Sequence, residues 1–168
     1  TGSFGSVSGA TITPGVTGAG TLTGAGTCQT GTTDANGQCT IIVNSAAAGV
    51  GTVSAATTVS VGGVPITRSL GDGLSGDSAK ATKTWVDGQI LITGDSTNEV
   101  GQDHTFTVTV NQNLGDGNGF VPVAGVTVTP GITGTGSLNG GTCSSGTTDA
   151  SGHCTIIVHS TTPGTGTV

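Results

Sequence analysis

One segment of this chain occurs twice, and each copy contains a cysteine. TTDANGQCTIIVNS spans Thr32–Ser45, and TTDASGHCTIIVHS spans Thr147–Ser160. The similarity extends on both sides, so that residues 1–53 align with residues 117–168 after a single one-residue deletion. The period is about 115 residues, which is too long for a solenoid unit and matches the size of a β-sandwich domain. The repeat therefore predicts tandem domains, each larger than one supersecondary unit.

The middle of the chain has no second copy. Residues 54–116 occur only once, so the sequence contains one full period and about half of the next. The chain therefore starts inside one domain and stops inside another. A first residue of Thr1, with no signal peptide, fits a processed protein or a window from a longer one.

Strand-forming residues dominate the composition. Val, Ile and Thr alternate with a period of two, and no window repeats apolar residues at the spacing of an amphipathic helix. The clusters DANG and DASG predict turns, in which Asp34 and Asp149 form Asx hydrogen bonds. The sequence therefore predicts an all-β fold. The predicted strands are residues 39–45, 51–63, 88–94, 104–112 and 124–131.

The charge of the chain excludes several classes of partner. The formal net charge is −6 and only three residues are Lys or Arg, whereas binding to phosphate groups requires clustered basic side chains. We therefore expect neither a nucleic-acid nor an anionic-membrane partner. No run of apolar residues is long enough to span a bilayer, so we also expect no membrane span in this segment.

The four cysteines form two pairs with equal spacing. The interval from Cys28 to Cys39 equals that from Cys143 to Cys154, and each pair lies within one copy of the repeat. A metal site and free thiols are the alternatives, but the spacing provides no C-x-x-C knuckle of the kind that zinc sites use. We predict two disulfides, Cys28–Cys39 and Cys143–Cys154, and hence an oxidising, extracellular compartment.

Other chemically active residues give weaker patterns. LGDG (70–73) and LGDGNG (114–119) resemble calcium loops superficially but lack the later glutamate, so we read them as turns. The three histidines form no spaced cluster, and no catalytic or nucleotide-binding motif is present, so we expect no enzyme, metal site or cofactor. Lys80 or Lys83 could form an isopeptide bond only if the lysine were buried beside an Asn and an acid.

Three segments resemble a known family. PVAGVTVTPG (122–131) and TTDANGQCTIIVNSAAAGVGTVSA (32–55) resemble the bacterial immunoglobulin-like repeats of the invasin and intimin type, which carry a GVTV strand followed by a T-D-x-x-G-x-A turn. KTWVDGQILITGDSTNEVGQDHTFTVTV (83–110) resembles the opening strands of repeats in large secreted bacterial surface proteins. The resemblance covers nearly the whole chain and implies tandem immunoglobulin-like β-sandwich repeats.

The same resemblance implies domain boundaries that are out of phase with the chain. Residues 1–83 would be the C-terminal part of one repeat, without its opening strands. Residues 84–168 would be the N-terminal part of the next repeat, without its closing strands. Where the family alternates threonines, this chain has Ile42 and Ile157, which would point away from the core and are candidate contacts with a neighbouring domain or subunit.

Two functions from different classes fit these patterns. The first is a structural repeat module of an extracellular bacterial surface stalk, adhesin shaft or filament. Its partners would be neighbouring copies of the same repeat or subunit, which would supply the missing strands. The alternative is a carbohydrate- or receptor-binding module at an adhesin tip. Sugar sites usually use aromatic platforms, however, and the chain has one Trp and no Tyr.

Overall fold

The two copies of the repeated segment lie in different units of the structure. The computed structural model describes residues 4–168, which divide into two units. Unit 1 consists of residues 4–86 and Leu114–Gly117, and unit 2 consists of Asp87–Asn113 and Asn118–Val168. Both are built mainly from antiparallel strands, so the all-β prediction is confirmed.

Unit 1 is organised around one long strand. Strand β4 pairs on one edge with β1 and on the other with β6 and then β5, while β2 pairs with β3 alone. The predicted domain boundary after Lys83 falls within β6. The elements of unit 1 are β1 (Ile12–Gly18), β2 (Thr21–Leu22), α1 (Thr27–Thr30), β3 (Val43–Asn44), β4 (Gly49–Val61), β5 (Val64–Ser69) and β6 (Ala81–Trp85).

The main sheet of unit 2 is built from strands that have no full equivalent in unit 1. Its central strand, β8, pairs with β7 on one edge and with β12 on the other, and β12 in turn pairs with β11. Strand β9 pairs with the end of β8, and β10 pairs with β13. The elements are β7 (Asp87–Thr93), β8 (His104–Asn113), β9 (Val121–Pro122), β10 (Thr133–Gly134), β11 (Ser137–Leu138), α2 (Thr142–Ser145), β12 (His153–His159) and β13 (Gly166–Thr167).

The buried core of unit 2 lies where β8 meets β12. Val108 lies opposite Cys154, and Phe106 lies opposite Ile156, so alternate residues of both strands share one face. Val108 and Ile156 are 2% and 3% exposed. Among the described residues of unit 1, the only buried hydrophobic side chain is Cys28, which is 6% exposed, because unit 1 contains no strand equivalent to β8.

The pentapeptide CTIIV adopts different structures in the two units. In unit 2 it lies wholly within β12, whereas in unit 1 only its last residue, Val43, belongs to a strand. The predicted strand over residues 39–45 is therefore wrong for most of its length. A strand requires a hydrogen-bonded neighbour, and β8 provides that neighbour only in unit 2.

The reverse difference is seen at the GVTV motif. The predicted strand over residues 124–131 is wrong, because none of these residues is in a strand of unit 2. The equivalent part of unit 1 leads into β1, which pairs with β4 over seven residues. In unit 2 the equivalent pairing is limited to β10 and β13, two residues each, since the sequence contains only the start of a strand equivalent to β4.

Glycines make room for the single tryptophan in unit 1. Trp85 is half-buried at the end of β6, opposite Gly49 of β4. A Cβ atom at Gly51 would lie 2.6 Å from Cζ3 of the indole and would also collide with the carbonyl oxygen of Ala19. A Cβ at Gly20 would lie 2.8 Å from Cη2 of the indole. These glycines therefore allow the ring to lie directly on the backbone.

We expect Gly51→Ala to destabilise unit 1 by about 2 kcal/mol, because an overpacked site forces the indole and backbone apart. Trp85 is the only tryptophan, so its fluorescence during urea unfolding reports on this unit. Gly88→Ala is the matched control, since a Cβ there meets no atom within 4 Å. Equal midpoints for the two variants would contradict the packing that we describe.

Candidate functional site

A disulfide braces each copy of the repeated segment. Cys28 bonds to Cys39 and Cys143 bonds to Cys154, with Cα atoms 5.1 and 5.0 Å apart, in the pairs predicted from the sequence. In each unit a four-residue helix, α1 or α2, carries the first cysteine. These helices were not predicted from the sequence, because a single helical turn has no hydrophobic period. Two disulfides indicate that the chain matures in an oxidising compartment.

A pair of threonines supports each disulfide. The N–H of Thr40 donates to Oγ1 of Thr27 at 2.8 Å, and the N–H of Thr27 donates to Oγ1 of Thr40 at 3.1 Å. Thr142 and Thr155 make the same reciprocal bonds at the same distances. The helix is therefore fastened to the segment opposite it by backbone and side-chain contacts as well as by sulfur.

The predicted Asx turns are confirmed. Oδ1 of Asp34 accepts from the N–H groups of Asn36 and Gln38 at 2.8 and 2.9 Å. In unit 2, Oδ1 of Asp149 accepts from Ser151 and His153 at the same distances. The bond from the N–H of His153, followed by that from Ser151, lowers the pKa of Asp149 below its ordinary value of 3.8.

A lowered pKa makes the turn of unit 2 sensitive to acid. The stabilisation from the Asp149 carboxylate is present above its ordinary pKa and is lost as the pH falls through its folded-state value. In the unaltered chain, protection of the His153 amide from hydrogen exchange should therefore fall between about pH 5 and pH 2. We expect Asp149→Asn to remove this pH dependence. Ser151→Ala keeps the carboxylate and its backbone donors, so it should retain the acid dependence of the unaltered chain.

A buried threonine, which was not predicted from the sequence, directly precedes the aspartate that opens each turn. Oγ1 of Thr148 donates to the carbonyl oxygen of Val123 at 2.7 Å and accepts from the N–H of Val126 at 3.0 Å. Thr33 makes the equivalent bonds to Val7 and Ala10 at 2.6 and 2.9 Å. The second threonine of each TTD motif was the available signal. Its hydroxyl group hydrogen-bonds to the backbone of a neighbouring segment, and so holds that segment without β-sheet hydrogen bonds.

Residues 37–43 of unit 1, here named the open edge, are the equivalents of the β12 residues that pair with β8. The N–H groups of Gln38, Thr40 and Ile42 are bonded within unit 1, to Asp34, Thr27 and Gln29. Among the described residues, no hydrogen bond reaches the N–H of Cys39 or Ile41. These two N–H groups are on the side of the segment on which β8 lies in unit 2.

A groove of 690 Å³ runs beside the open edge. Its apolar lining comes from both sides of unit 1, with Ile12 and Ala55 on the sheet and Cys28, Cys39 and Ile41 on the disulfide-braced segment. Cys39 and Ile41 are half-buried, whereas their equivalents Cys154 and Ile156 are fully buried. The groove therefore corresponds to the space that the side chains of β8 fill in unit 2.

The two isoleucines that we predicted to face outward differ in exposure. Ile42 is 44% exposed and Ile157 is half-buried. Ile157 lies opposite Thr105, so it shares the threonine-lined face of β8 and lies on the side away from Val108. Contact of either isoleucine with a neighbouring domain or subunit stays a prediction.

An Asp–His pair in unit 2 was missed by the sequence analysis. Oδ1 of Asp103 lies 2.8 Å from Nδ1 of His159, and the side-chain amide of Asn139 donates to both carboxylate oxygens of Asp103. Among the described residues, no Ser, Thr or Cys hydrogen-bonds to Nε2 of His159. The pair therefore fastens the connection before β8 to the ends of β11 and β12. His104 contacts the carbonyl of Gly94 and packs edge-on against Phe106, with ring centroids 4.7 Å apart.

The remaining predicted sites have local structural roles. The carboxylate of Asp72, in the LGDG turn, accepts from the N–H groups of Leu74 and Ser69, and these bonds lower its pKa. No group of three His, Cys, Asp or Glu side chains among residues 4–168 could hold a metal ion. Lys80 and Lys83 are exposed, which contradicts the isopeptide alternative, since that chemistry requires a buried lysine.

Unit 2 has an uncovered apolar face on β7. Ile90 and Ile92 lie opposite Val110 and Val108, on the core side of the sheet, yet they are 65% and 45% exposed. They line a 220 Å³ cavity together with Val128 and Val168. A second cavity of 330 Å³, lined in part by His104 and Phe106, has a rim of Ser and Thr groups.

Comparison with known proteins gave no relative. No family model matches the chain, and neither a curated protein nor a solved structure matches it. None of the described helices has the length and apolar character needed to cross a bilayer.

Proposed function

We propose that this chain is a structural module from a tandem array of immunoglobulin-like β-sandwich repeats, in an extracellular bacterial stalk, adhesin shaft or filament. One observation carries the proposal. The repeated segment builds the same disulfide, threonine pair and Asx turn in both units, while each unit retains a sheet of which the other has only one two-stranded part.

The two incomplete units describe one complete repeat when their parts are combined. Unit 1 supplies the sheet of β1, β4, β5 and β6, and unit 2 supplies the sheet of β7, β8, β12 and β11. These are two antiparallel sheets, of four strands in unit 1 and, with β9, five in unit 2. The apolar faces that they leave uncovered in the separate units would meet in a sandwich core. Such a domain needs no catalytic group, so we propose that the module is not an enzyme.

The proposal is tested by building the complete repeat from the chain's own sequence. Residues 86–168 followed directly by residues 54–85 contain every strand once, because Val168 is the equivalent of Val53 and β6 (Ala81–Trp85) stays whole. We expect this spliced chain to fold as a cooperative monomer in which Ile90 and Ile92 are buried. Tandem copies should form rods whose length, measured by small-angle scattering and electron microscopy, increases by a constant step per copy. A spliced chain that stays molten, or arrays that collapse into compact particles, would refute the proposal.

The spliced repeat also distinguishes a shaft module from an adhesin tip. Trp85, the only tryptophan, lies half-buried on glycines, so it does not offer a free ring face as a sugar platform. We expect no binding of the spliced repeat on a glycan array, and labelling along the length of surface fibres by antibodies to the repeat. Glycan binding, with labelling only at fibre ends, would favour the tip.

A further inference from the structure

We propose that Asn36–Gly37 is a self-modification site, at which the chain slowly converts Asn36 to aspartate or isoaspartate, and that Asp34 controls the rate. The reaction uses water and the chain's own backbone, so it requires no partner protein and no cofactor. It goes beyond the proposed function, because it concerns the chemistry of this turn whether or not the chain belongs to an array.

The turn requires the glycine of this reactive pair. Gly37 has a φ of 74°, and its equivalent in unit 2, Gly152, has the same φ. Residues with a Cβ atom rarely adopt this conformation, so glycine is needed at both positions. The residue before the glycine differs between the units, being Asn36 in unit 1 and Ser151 in unit 2. Only the turn of unit 1 therefore contains an Asn–Gly pair.

The carboxamide of Asn36 is accessible for the reaction. Asn36 is exposed, and among residues 4–168 no hydrogen bond joins its side chain to another group. The backbone nitrogen of Gly37 forms a bond to Cγ of Asn36, and the bond from Cγ to Nδ2 breaks, with ammonia carrying away the amide proton. Water then opens the cyclic imide at either of its carbonyls. The product is aspartate or, with one more methylene in the backbone, isoaspartate.

Asp34 restrains the nitrogen that attacks. The N–H of Gly37 donates to the carbonyl oxygen of Asp34 at 3.0 Å, so this bond must break before the nitrogen loses its proton. The Asp34 carboxylate also holds the turn closed, through the N–H groups of Asn36 and Gln38 at 2.8 and 2.9 Å. Hydrogen bonds to an ionised acceptor are stronger than neutral ones. The reaction therefore waits for the turn to open, and the carboxylate determines how often it opens.

The turn geometry does not depend on the strands that lie beside it. In unit 2 the N–H of Gly152 donates to the carbonyl oxygen of Asp149 at 2.9 Å, and the Asp149 carboxylate accepts from Ser151 and His153. There, β8 lies beside the segment that follows the turn. The restraints are the same with and without that strand, so residues 34–38 themselves create them.

Asn139–Gly140 provides a comparison within the same chain. Nδ2 of Asn139 donates to both carboxylate oxygens of Asp103, at 3.0 and 3.2 Å, so the leaving nitrogen is held in place. We therefore expect Asn139 to react more slowly than Asn36 in the folded chain, and at a similar rate in the unfolded chain. The third such pair, Asn118–Gly119, is resolved separately in the same peptide maps.

The test is incubation of the intact chain at mildly alkaline pH, followed by peptide mass spectrometry and labelling with isoaspartate methyltransferase. Asn36 should show the mass change of an amide-to-acid conversion. Its rate in the folded chain should be about tenfold below that in urea with the disulfides reduced, because opening the turn breaks hydrogen bonds to a charged group. Asn36→Ser, which installs the residue of unit 2, should abolish the product.

Matched variants separate the role of Asp34 from general stability. Asp34→Ala removes the carboxylate that holds the turn, and should raise the Asn36 rate towards that of the unfolded chain. Asp34→Asn keeps an uncharged acceptor and should give a smaller increase. Asp149→Ala makes the equivalent change in unit 2 and should leave the Asn36 rate unaltered. Trp85 fluorescence verifies that unit 1 remains folded in each variant.

Several results would overturn the inference. These are no product at Asn36 in the folded chain by the time that the unfolded chain has reacted completely, equal rates in the two states, or no response to either Asp34 variant. Faster reaction at Asn139 than at Asn36 in the folded chain would also overturn it. These measurements use a chain of unaltered length, so their failure is distinct from failure of the spliced repeat to fold or to form rods.

Discussion

Ile156→Ala is expected to destabilise unit 2 by about 3 kcal/mol, because Ile156 is 3% exposed and its truncation leaves a cavity beside Val108 and Phe106. The same substitution at its equivalent in unit 1, Ile41→Ala, should cost only about 1 kcal/mol, since no strand covers that side chain. Hydrogen exchange at amides of β8 and β12 measures the first effect, and Trp85 fluorescence during urea unfolding measures the second.

The pair of substitutions compares identical local sequences in different surroundings. Both isoleucines lie in CTIIV, so strand propensity and unfolded-state effects are the same for both. A difference in cost therefore reports on the presence of β8. Equal costs would show that Ile41 is already fully packed, and the groove beside the open edge would then not exist in solution.

Removing the Cys143–Cys154 disulfide is the second change with a large expected effect. The double substitution Cys143→Ala and Cys154→Ala should destabilise unit 2 by about 3 kcal/mol, because the bond closes a short loop and constrains the unfolded chain. Alanine is chosen because both positions are buried, and a serine hydroxyl there would lack a partner. Amide exchange across β12 is the appropriate measurement, since two units in one chain do not unfold as a single transition.

The control for this variant is the equivalent double substitution at Cys28 and Cys39. It should leave exchange in β12 unchanged while lowering the urea midpoint reported by Trp85. If the unit 2 variant retained full protection of β12, the threonine pair of Thr142 and Thr155 would be holding the turn without the disulfide.

The sequence predicts features that are decided within one copy of the repeat. The Asp34 and Asp149 turns and the two disulfides depend on residues close together in the chain, and all were predicted correctly. Strand extent was predicted poorly, because it depends on a distant partner. CTIIV forms a strand along its whole length only beside β8. The segment of unit 1 that is equivalent to GVTV leads into a long strand because β4 lies beside it, whereas GVTV itself in unit 2 does not.

The candidate site shows the same limit. The open edge consists of residues whose composition predicts a buried strand, and nothing in the local sequence shows that its partner is missing. Only alignment of the two copies, combined with the pairing of β12 in unit 2, identifies the missing neighbour. Thr33 and Thr148 were missed for a related reason, because a threonine among many threonines is distinguished only by the backbone that passes it.

Each disulfide joins cysteines that are close neighbours in the sequence, and this has a consequence for biosynthesis. A long array would contain many chemically equivalent thiols, and random pairing among them would produce mostly wrong cross-links. Closing a short loop costs little entropy, so each thiol meets its correct partner far more often than one in another repeat. Oxidation of such an array could therefore proceed repeat by repeat, without disulfide shuffling.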